Sequence, residues 1–240
     1  MASESVLLHE GVEDLRVARL AKRLEGDGLL KNPPVAAVLG ADPEAEGGFV
    51  VLDGATRVEA LRRLGVRDVL VQEVNMDDGE LALEAWHHLI TGISPERLVQ
   101  DLEDIEDVAF RAMPPHDAEA ALDRRELLCY LLLPDGSARG AMVSAGGGVQ
   151  AGLPSRSEAN LLSRSEARLL SRIVAAYQAR TPIFRVASHA LEELLRQHES
   201  VSAVVVFPRF RPEEIRDLAT RKAKLPTGIS WTSSPVAALS

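Results

Sequence analysis

The 240-residue chain contains a single cysteine, Cys129, and this absence of a second thiol rules out an internal disulfide framework. One cysteine is typical of a reducing cytoplasm, and the apolar neighbours in ELLCYLLL favour a buried structural thiol over a nucleophile. No run of 18 or more apolar residues occurs, so no membrane span and no membrane partner are expected. The first residues, MASESVLLHEG, lack the basic start and long apolar stretch of a signal peptide. These absences predict a cytoplasmic protein.

Several motifs that carry chemistry are also missing. The Gly-rich stretch AGGGVQAG (145–152) lacks the lysine and the hydroxyl of a Walker loop. No GxSxG elbow or Ser-His-Asp order is present. The six histidines are scattered; His87 and His88 are adjacent, and on the helix predicted there they would diverge by about 100°. The sequence therefore indicates neither a serine hydrolase nor a clustered metal site.

The formal net charge of −9 is unevenly distributed. Residues 77–126 carry fourteen acidic and four basic side chains, whereas residues 209–224 carry six basic and three acidic ones. An acidic surface repels phosphate backbones, so nucleic acid is not expected as a partner. The basic segment is typical of a solvated helix, although it could also hold an anionic ligand.

The stretch FVVLDGATRVEALRRLG (49–65) predicts a strand, a tight turn and a helix. Asp53 and Gly54 are turn residues, the apolar residues after Thr56 fall at helical spacing, and Gly65 ends the helix. Such a turn leaves backbone N–H groups and Arg57 at a helix N-terminus, where an anion can bind. A plain βαβ unit with a solvated arginine is the alternative.

The first 75 residues read β-α-β-β-α-β, a mixed α/β arrangement. The rest predicts mainly helices, and the C-terminal LPTGISWTSSPVAALS is predicted to be irregular. The further elements expected are helices at 79–92, at 94–108 with Ser94 as N-cap, at 155–177 and at 211–226, and a strand at 201–207. The fold class expected is α/β (α+β), with an N-terminal domain at 1–92 and a mainly helical domain at 93–240.

Two carboxylates end predicted strands, Glu10 after the first and Asp53 after the third. If those strands are neighbours, both side chains border one crevice beside a helix N-terminus and an arginine. Carboxylate, magnesium and phosphate would assemble naturally at such a place.

Residues 1–92 resemble the ParB/sulfiredoxin-like fold and, within it, the free L-serine kinases of staphylococcal siderophore clusters and of archaea. The strand-Asp-Gly-x-x-Arg-helix piece is shared by ParB-like domains in general, whereas LLHE and LPTGIS are typical of the kinases. The matching pieces are LLHE (7–10), LLKNPPVAAV (29–38), VVLDGATRVEALRRLG (50–65), VLVQEVN (69–75), EAWHHL (84–89) and FPRFRPEEIRDLATRKAKLPTGIS (207–230).

The resemblance implies a role for each matching residue. Glu10 would take the proton from the serine hydroxyl, and Asp53 would orient the nucleophile or hold Mg²⁺. The nucleotide phosphates would be bound by the backbone N–H groups of Gly54, Ala55 and Thr56 and by the side chain of Arg57. The substrate would be bound by Trp86, Thr227, Gly228 and Ser230, because the C-terminal segment closes the substrate site in this family.

The chain departs from the family in two places. Thr56 stands where the family has a histidine, and Ser230-Trp231-Thr232 replaces a Thr-Arg-His pattern. Loss of an Arg-to-carboxylate contact, on the order of 1.5–3 kcal/mol, would weaken serine binding or change the substrate.

The function expected is an Mg²⁺-dependent phosphotransferase that converts free L-serine, or a related small hydroxy amino acid, to its O-phospho form using ATP or ADP. Its partners would be that substrate and an adenine nucleotide, and a homo-oligomer stays open. One alternative is a ParB-like regulator that binds nucleotide or DNA without phosphoryl transfer. Another is a sulfiredoxin-like repair enzyme, which would need a reactive cysteine that Cys129 does not offer.

Overall fold

The chain forms two units in the computed structural model, and the first unit is discontinuous in sequence. It comprises Met1–Glu84 together with Phe210–Ser240, and the second comprises Ala85–Arg209. The residues that the structure describes are 1–39, 48–76, 82–144, 162–191, 194 and 200–233. The predicted Gly-rich loop at 145–152 and the start of the predicted helix at 155–177 lie outside them.

The first unit begins with the predicted β-α-β-β-α-β order, which is confirmed. Its elements are β1 (Val6–Leu8), α1 (Asp14–Asp27), β2 (Val35–Val38), β3 (Phe49–Asp53), α2 (Ala55–Arg63) and β4 (Gln72–Val74). The sheet order is β1-β3-β2-β4. Strand β3 is parallel to β1 and antiparallel to β2, and β2 is parallel to β4. The two helices therefore follow strands that sit side by side in one mixed sheet.

The apolar spacing of α1 and α2 explains how this sheet is covered. Val58 of α2 packs with β-strand residues Val6, Leu8 and Val51. Helices α1 and α2 pack against each other through Val17 and Ala21 of α1 and Ala60 of α2, all of which are buried. Burying such side chains stabilises the unit by about 25 cal/mol per Å² of apolar surface removed from water.

The C-terminal residues of the first unit return to the end of β1. Helix α6 (Pro212–Thr220) is followed by a segment in which the Leu225 N–H donates to the His9 carbonyl at 2.7 Å, and the Gly11 N–H donates to the Leu225 carbonyl at 2.8 Å. Strand β12 (Ser230–Ser233) then pairs with β5 (Ala82–Ala85). The prediction of an irregular tail is wrong at 230–233, because this short polar strand has none of the apolar alternation by which strands are recognised.

The second unit contains a six-stranded sheet of order β10-β6-β11-β8-β9-β7, in which neighbouring strands are antiparallel. Its strands are β6 (His87–Thr91), β7 (Val108–Met113), β8 (Cys129–Leu132), β9 (Ala138–Val143), β10 (Ile183–Val186) and β11 (Val201–Val206). Its helices are α3 (Pro95–Glu103), α4 (Pro115–Asp123) and α5 (Arg164–Gln178). Ser94 caps α3 as predicted, since its side chain accepts from the Arg97 N–H.

Two sequence predictions are corrected by this sheet. The stretch 79–92 was expected to be a helix, but its described residues form β5 and β6. The residues 87–90 of β6 are buried on both faces, so the strand shows no period of two and its apolar residues imitate helical spacing. The second region is therefore a mixed α/β unit and not mainly helical, and residues 210–233 belong with the first unit instead of the second.

The adjacent histidines of β6 point to opposite faces of the sheet, as alternation along a strand requires. His88 is fully buried and its Nδ1 lies 2.6 Å from the Tyr177 hydroxyl. The Nδ1 of His87 accepts from the Phe207 N–H at 3.2 Å, so its Nε2–H donates to the Ser188 hydroxyl at 2.9 Å. Because their side chains lie on opposite faces of the sheet, the two histidines cannot bind the same ligand. The helix predicted from the sequence excluded a shared ligand as well, but through the angle between neighbouring side chains on a helix.

His87 is expected to make the stability of the protein depend on pH. Burial, and then the positive charge of Arg209, lower the pKa of His87 to about 4. Between pH 6.5 and about 4 the unfolded imidazole binds a proton that the folded one does not, so stability falls as pH falls through this range. We expect a loss of about 2 kcal/mol at pH 5 relative to pH 7.5 from this residue.

Denaturant unfolding at the two pH values, for the wild type and for His87→Asn, measures this contribution. Asparagine keeps an acceptor for the Phe207 N–H and cannot be protonated, so its loss at pH 5 should be smaller than that of the wild type. Equal losses in both proteins would contradict the assignment.

Cys129 is fully buried in β8, and burial raises the pKa of its thiol to about 12. The predicted structural role is confirmed, since a thiol of this kind is not a nucleophile at neutral pH. No helix in the described part of the chain is both long and apolar enough for a membrane span.

Candidate active site

The carboxyl ends of two parallel strands bring the two predicted carboxylates to one edge of the first sheet. Strands β1 and β3 are direct neighbours, and their register pairs Leu8 with Val51. Glu10 lies two residues after Leu8, and Asp53 lies two residues after Val51. The condition on which the predicted crevice depended, that these strands are neighbours, is therefore met.

Glu10 is buried, with 9% of its surface exposed, and its carboxylate is held by the C-terminal segment. Its Oε2 accepts from the Gly228 N–H at 3.1 Å. Its Oε1 accepts from the Ser230 N–H at 2.7 Å and from the Ser230 hydroxyl at 2.5 Å. These charge-assisted hydrogen bonds fix the orientation of the carboxylate.

His9 belongs to the same cluster and was missed by the sequence reasoning. It is 2% exposed; its Nδ1 lies 2.6 Å from the Val51 carbonyl oxygen and its Nε2 lies 2.8 Å from the Ser230 Oγ. Its position next to Glu10 at the end of a strand was a visible signal. The contact with Ser230, however, joins residues 221 positions apart, and no local pattern shows it.

Gly54 shapes the turn between β3 and α2. Its φ of +97° is a left-handed conformation that favours glycine, and a Cβ there would lie 2.8–2.9 Å from the guanidinium of Arg57. That guanidinium folds back over the turn, donating to the Asp53 carboxylate at 2.5 Å and to the carbonyl oxygens of Asn32 and Pro33. Glycine is thus required both by the backbone and by the arginine.

The first turn of α2 has the features of an anion site. In the described structure no side chain caps this N-terminus. Gly54, Ala55, Thr56 and Arg57 are all partly exposed, so a ligand can reach the N–H groups of residues 54–56 and the Arg57 side chain, whereas the Arg57 N–H donates to the Gly54 carbonyl at 2.8 Å. The unshared N–H groups and the partial positive charge of the helix end attract phosphate oxygens.

Asp53 fits the predicted role of magnesium ligand. Its side chain is 49% exposed, and Arg57 contacts only its Oδ2. Mg²⁺ in phosphoryl-transfer sites is held by one or two carboxylates together with substrate phosphates and waters, and Asp53 beside the α2 N-terminus supplies that kind of ligand. Among the residues described, no group of three or more His, Cys, Asp or Glu side chains forms a complete metal cage.

The predicted substrate residues divide between the two units. Gly228 and Ser230 contact Glu10 directly, and Thr227 lies beside Gly11, where its Oγ1 would be 3.4 Å from a Cβ. Trp86 lies between β5 and β6 and belongs to the second unit, so its role beside the substrate stays a prediction.

No family model matches the chain. The ATP-dependent L-serine kinase SbnI of Staphylococcus aureus is 26% identical over 131 residues, which are 52% of this chain and 49% of SbnI, so the match spans about half the length of that relative. A free serine kinase in complex with AMP has a TM-score of 0.73 at 14% identity, covering 98% of this chain and 86% of that one.

The chain has the fold of the free serine kinases. SbnI with a C-terminal truncation is a further structural match, with a TM-score of 0.68 at 16% identity over 98% of this chain and 82% of that one. The resemblance predicted from LLHE, the Asp-Gly turn and LPTGIS is therefore confirmed, as is the mixed α/β fold class.

Proposed function

We propose that the protein phosphorylates the hydroxyl group of free L-serine, or of a related small hydroxy amino acid, using ATP or ADP and Mg²⁺. The observation that carries the proposal is that Glu10 follows the end of β1 and Asp53 ends its parallel neighbour β3, with the phosphate-type turn of α2 following Asp53. Support comes from SbnI, named an ATP-dependent L-serine kinase, and from free serine kinase structures with AMP and ADP.

Each residue of the site has a role in the reaction. The substrate hydroxyl oxygen attacks the terminal phosphorus, its proton passes to Glu10, and the bond from that phosphorus to the rest of the nucleotide breaks. The carboxylate of Glu10 accepts a hydrogen bond from the Ser230 hydroxyl at 2.5 Å, and the substrate hydroxyl would make a contact of the same kind. Arg57 and the N–H groups at 54–56 would hold the phosphates. Magnesium, held by Asp53, would neutralise phosphate charge.

The site residues define the type of reaction more narrowly than they define which hydroxy amino acid is the substrate. The segment Ser230-Trp231-Thr232 carries no cation at the place where the family has an arginine, so the carboxylate of serine has one binding group fewer. Weak serine binding or a preference for a related hydroxy amino acid is the expected consequence.

A product assay tests the proposal. The purified protein is incubated with Mg²⁺, either ATP or ADP, and serine, threonine or homoserine, and the phospho-amino acid and released nucleotide are measured by mass spectrometry. We expect phosphoserine or a homologue, formed faster with one donor. Nucleotide binding without any phospho-amino acid would overturn the kinase proposal and favour the regulator.

A further inference from the structure

A cationic pocket lies beside β1, and the proposed function gives it no role. Its volume is about 400 Å³, which is within the range of small-molecule sites, and all the residues that line it belong to the first unit. Among the described residues, its wall contains three cations, Arg62, Lys222 and Lys224, and no carboxylate. Arg62 lies near the end of α2, eight residues after Gly54 and thus about 12 Å along the helix axis. The pocket is therefore separate from the turn at 53–57.

Arg62 is held in a fixed position at this pocket. Its Nε and Nη2 donate to the Ser3 carbonyl at 3.0 and 2.6 Å, and Nη2 also donates to the Val6 carbonyl at 2.5 Å. Its Nη1 lies 3.5 Å from a carboxylate oxygen of Glu59, which is a long contact. The neutral carbonyl groups orient the guanidinium without cancelling its charge, and Glu59 compensates that charge only in part.

Lys222 occupies a backbone position that is usually glycine. Helix α6 ends in a Schellman motif, in which the Ala223 N–H donates to the Leu218 carbonyl at 2.8 Å and the Lys222 N–H donates to the Ala219 carbonyl at 3.0 Å. The φ of Lys222 is +53°, a left-handed conformation that is unfavourable for a residue with a Cβ. Arg221, one residue earlier, already places a cation at this helix end, where it complements the helix dipole. The helix itself therefore does not require the lysine.

Helix α4 offers a comparison, because it ends in the same motif with Arg125 at the corresponding position. There the side chain donates to the Arg209 carbonyl. Lys222 and Lys224, by contrast, make no side-chain hydrogen bond or ion pair with any residue that the structure describes. Like charges around one cavity repel each other, and an anion placed between them offsets that repulsion. A bound anion thus explains a lysine at this strained position.

The sheet edge favours a small molecule over an added peptide strand. Strand β1 is at the edge of its sheet, but it is only three residues long. Beyond it the edge is covered, because the Leu225 N–H donates to the His9 carbonyl and the Gly11 N–H donates to the Leu225 carbonyl. An extended peptide would find little backbone to pair with, whereas a compact anion can contact all three cations. Phosphate oxygens accept such charge-assisted hydrogen bonds well.

We propose that this pocket binds a small phosphorylated molecule, and that the bound ligand holds the C-terminal segment at 222–230 against β1. The ligand contacts Lys222 and Lys224 on that segment and Arg62 on α2, so it binds the folded arrangement and opposes local opening of the segment. The same segment carries the donors to Glu10, so the ligand also favours the ordered form of the candidate active site. This last consequence rests on the proposed function, whereas the binding does not.

Inorganic pyrophosphate is the probe, titrated without Mg²⁺ at constant ionic strength into ¹⁵N-labelled protein, with backbone amide shifts as the readout. These shifts separate the pocket, at 222–225, from the turn at 54–57, where pyrophosphate should also bind. We expect saturable shifts at 222–225, and an affinity there that is about 10-fold weaker or more in Lys222→Gln/Lys224→Gln, because two charge-assisted hydrogen bonds are lost. Shifts confined to 54–57 would overturn the proposal. Succinate binding as tightly as pyrophosphate would overturn the phosphate class of the ligand.

Lys22→Gln/Arg23→Gln is the matched control, since it also removes two exposed cations from the first unit. Both residues lie on α1 and do not line the pocket. The affinity for pyrophosphate at 222–225 should equal that of the wild type. A loss as large as that of the lysine variant would show a general effect of net charge and contradict a defined site.

Amide hydrogen exchange tests the effect on the segment. At a pyrophosphate concentration of ten times Kd, exchange of the Leu225 N–H should slow by about 10-fold in the wild type, because binding reduces the open population by a factor of 1 + [L]/Kd. The amides of α5 in the second unit serve as the internal reference and should not change. Binding without slower exchange at Leu225 would overturn the stabilising role. Pyrophosphate binding at 222–225 in a protein that forms no phospho-amino acid would overturn the proposed function and leave this site standing.

Discussion

Replacing Glu10 with glutamine is expected to lower phosphoryl transfer to the amino acid by a factor of about 10²–10⁴, the range typical of a lost general base. Glutamine is preferred to alanine because its amide oxygen still accepts a backbone N–H from the segment at 228–230. Alanine would leave the Gly228 and Ser230 N–H groups without their acceptor, at about 1–3 kcal/mol for each buried group. Nucleotide binding should change little, since Glu10 lies outside the turn at 53–57.

The measurement is kcat by product formation, together with nucleotide affinity by calorimetry, for Glu10→Gln and for Glu13→Gln. The Glu13→Gln variant makes the same change of charge in the same unit. Glu13 is exposed and is the N-cap residue of helix α1, where its side chain makes no capping hydrogen bond. Full activity is therefore expected of the Glu13 variant. If Glu10→Gln kept more than about a tenth of the wild-type kcat, the base role of Glu10 would be wrong.

The second large effect is expected from Gly54→Ala. Alanine at a φ of +97° costs about 1–2 kcal/mol, and its Cβ would push the Arg57 guanidinium away from Asp53 and from the carbonyl groups of residues 32 and 33. The phosphate-binding turn would thus lose both its shape and its cation. We expect nucleotide affinity to fall at least about 10-fold, because a charged hydrogen bond contributes roughly 1.5–3 kcal/mol.

Gly65→Ala is the matched control at the other end of helix α2. Gly65 also has a positive φ, of +71°, but a Cβ there would meet nothing within 4 Å. Both variants should lose unfolding free energy from the positive φ, Gly54→Ala more because it also displaces Arg57, and only Gly54→Ala should lose nucleotide affinity. Equal nucleotide affinities in the two variants would show that Arg57 does not bind the phosphates.

The sequence predicts the first unit well because its signals are local. Apolar runs, the Asp-Gly turn and the stop at Gly65 each lie within a few residues of the element that they define, and together they give the β-α-β-β-α-β order. The placement of Glu10 and Asp53 at the same edge of the sheet required one further condition, that β1 and β3 are neighbours. The resemblance to the serine kinases also follows from short contiguous pieces.

Other features could not be read from local pattern. Strand β6 is buried on both faces and therefore has no alternation, so a helix was predicted in its place. Strand β12 is short and polar, and its Ser230 binds Glu10 and His9 from 220 and 221 residues away. The contact between His9 and Ser230 depends on that long-range pairing, which only the folded chain reveals.

The distance along the chain between Glu10 and Ser230 has a consequence for biosynthesis. On a translating ribosome, Glu10 emerges early, but its hydrogen-bond donors at Gly228 and Ser230 are made near the end of the described sequence. Until they arrive, the carboxylate lacks the partners that orient it. A chain that stops before residue 228 would therefore lack the donors that orient the proposed base, and we expect it to form no phospho-amino acid in the product assay.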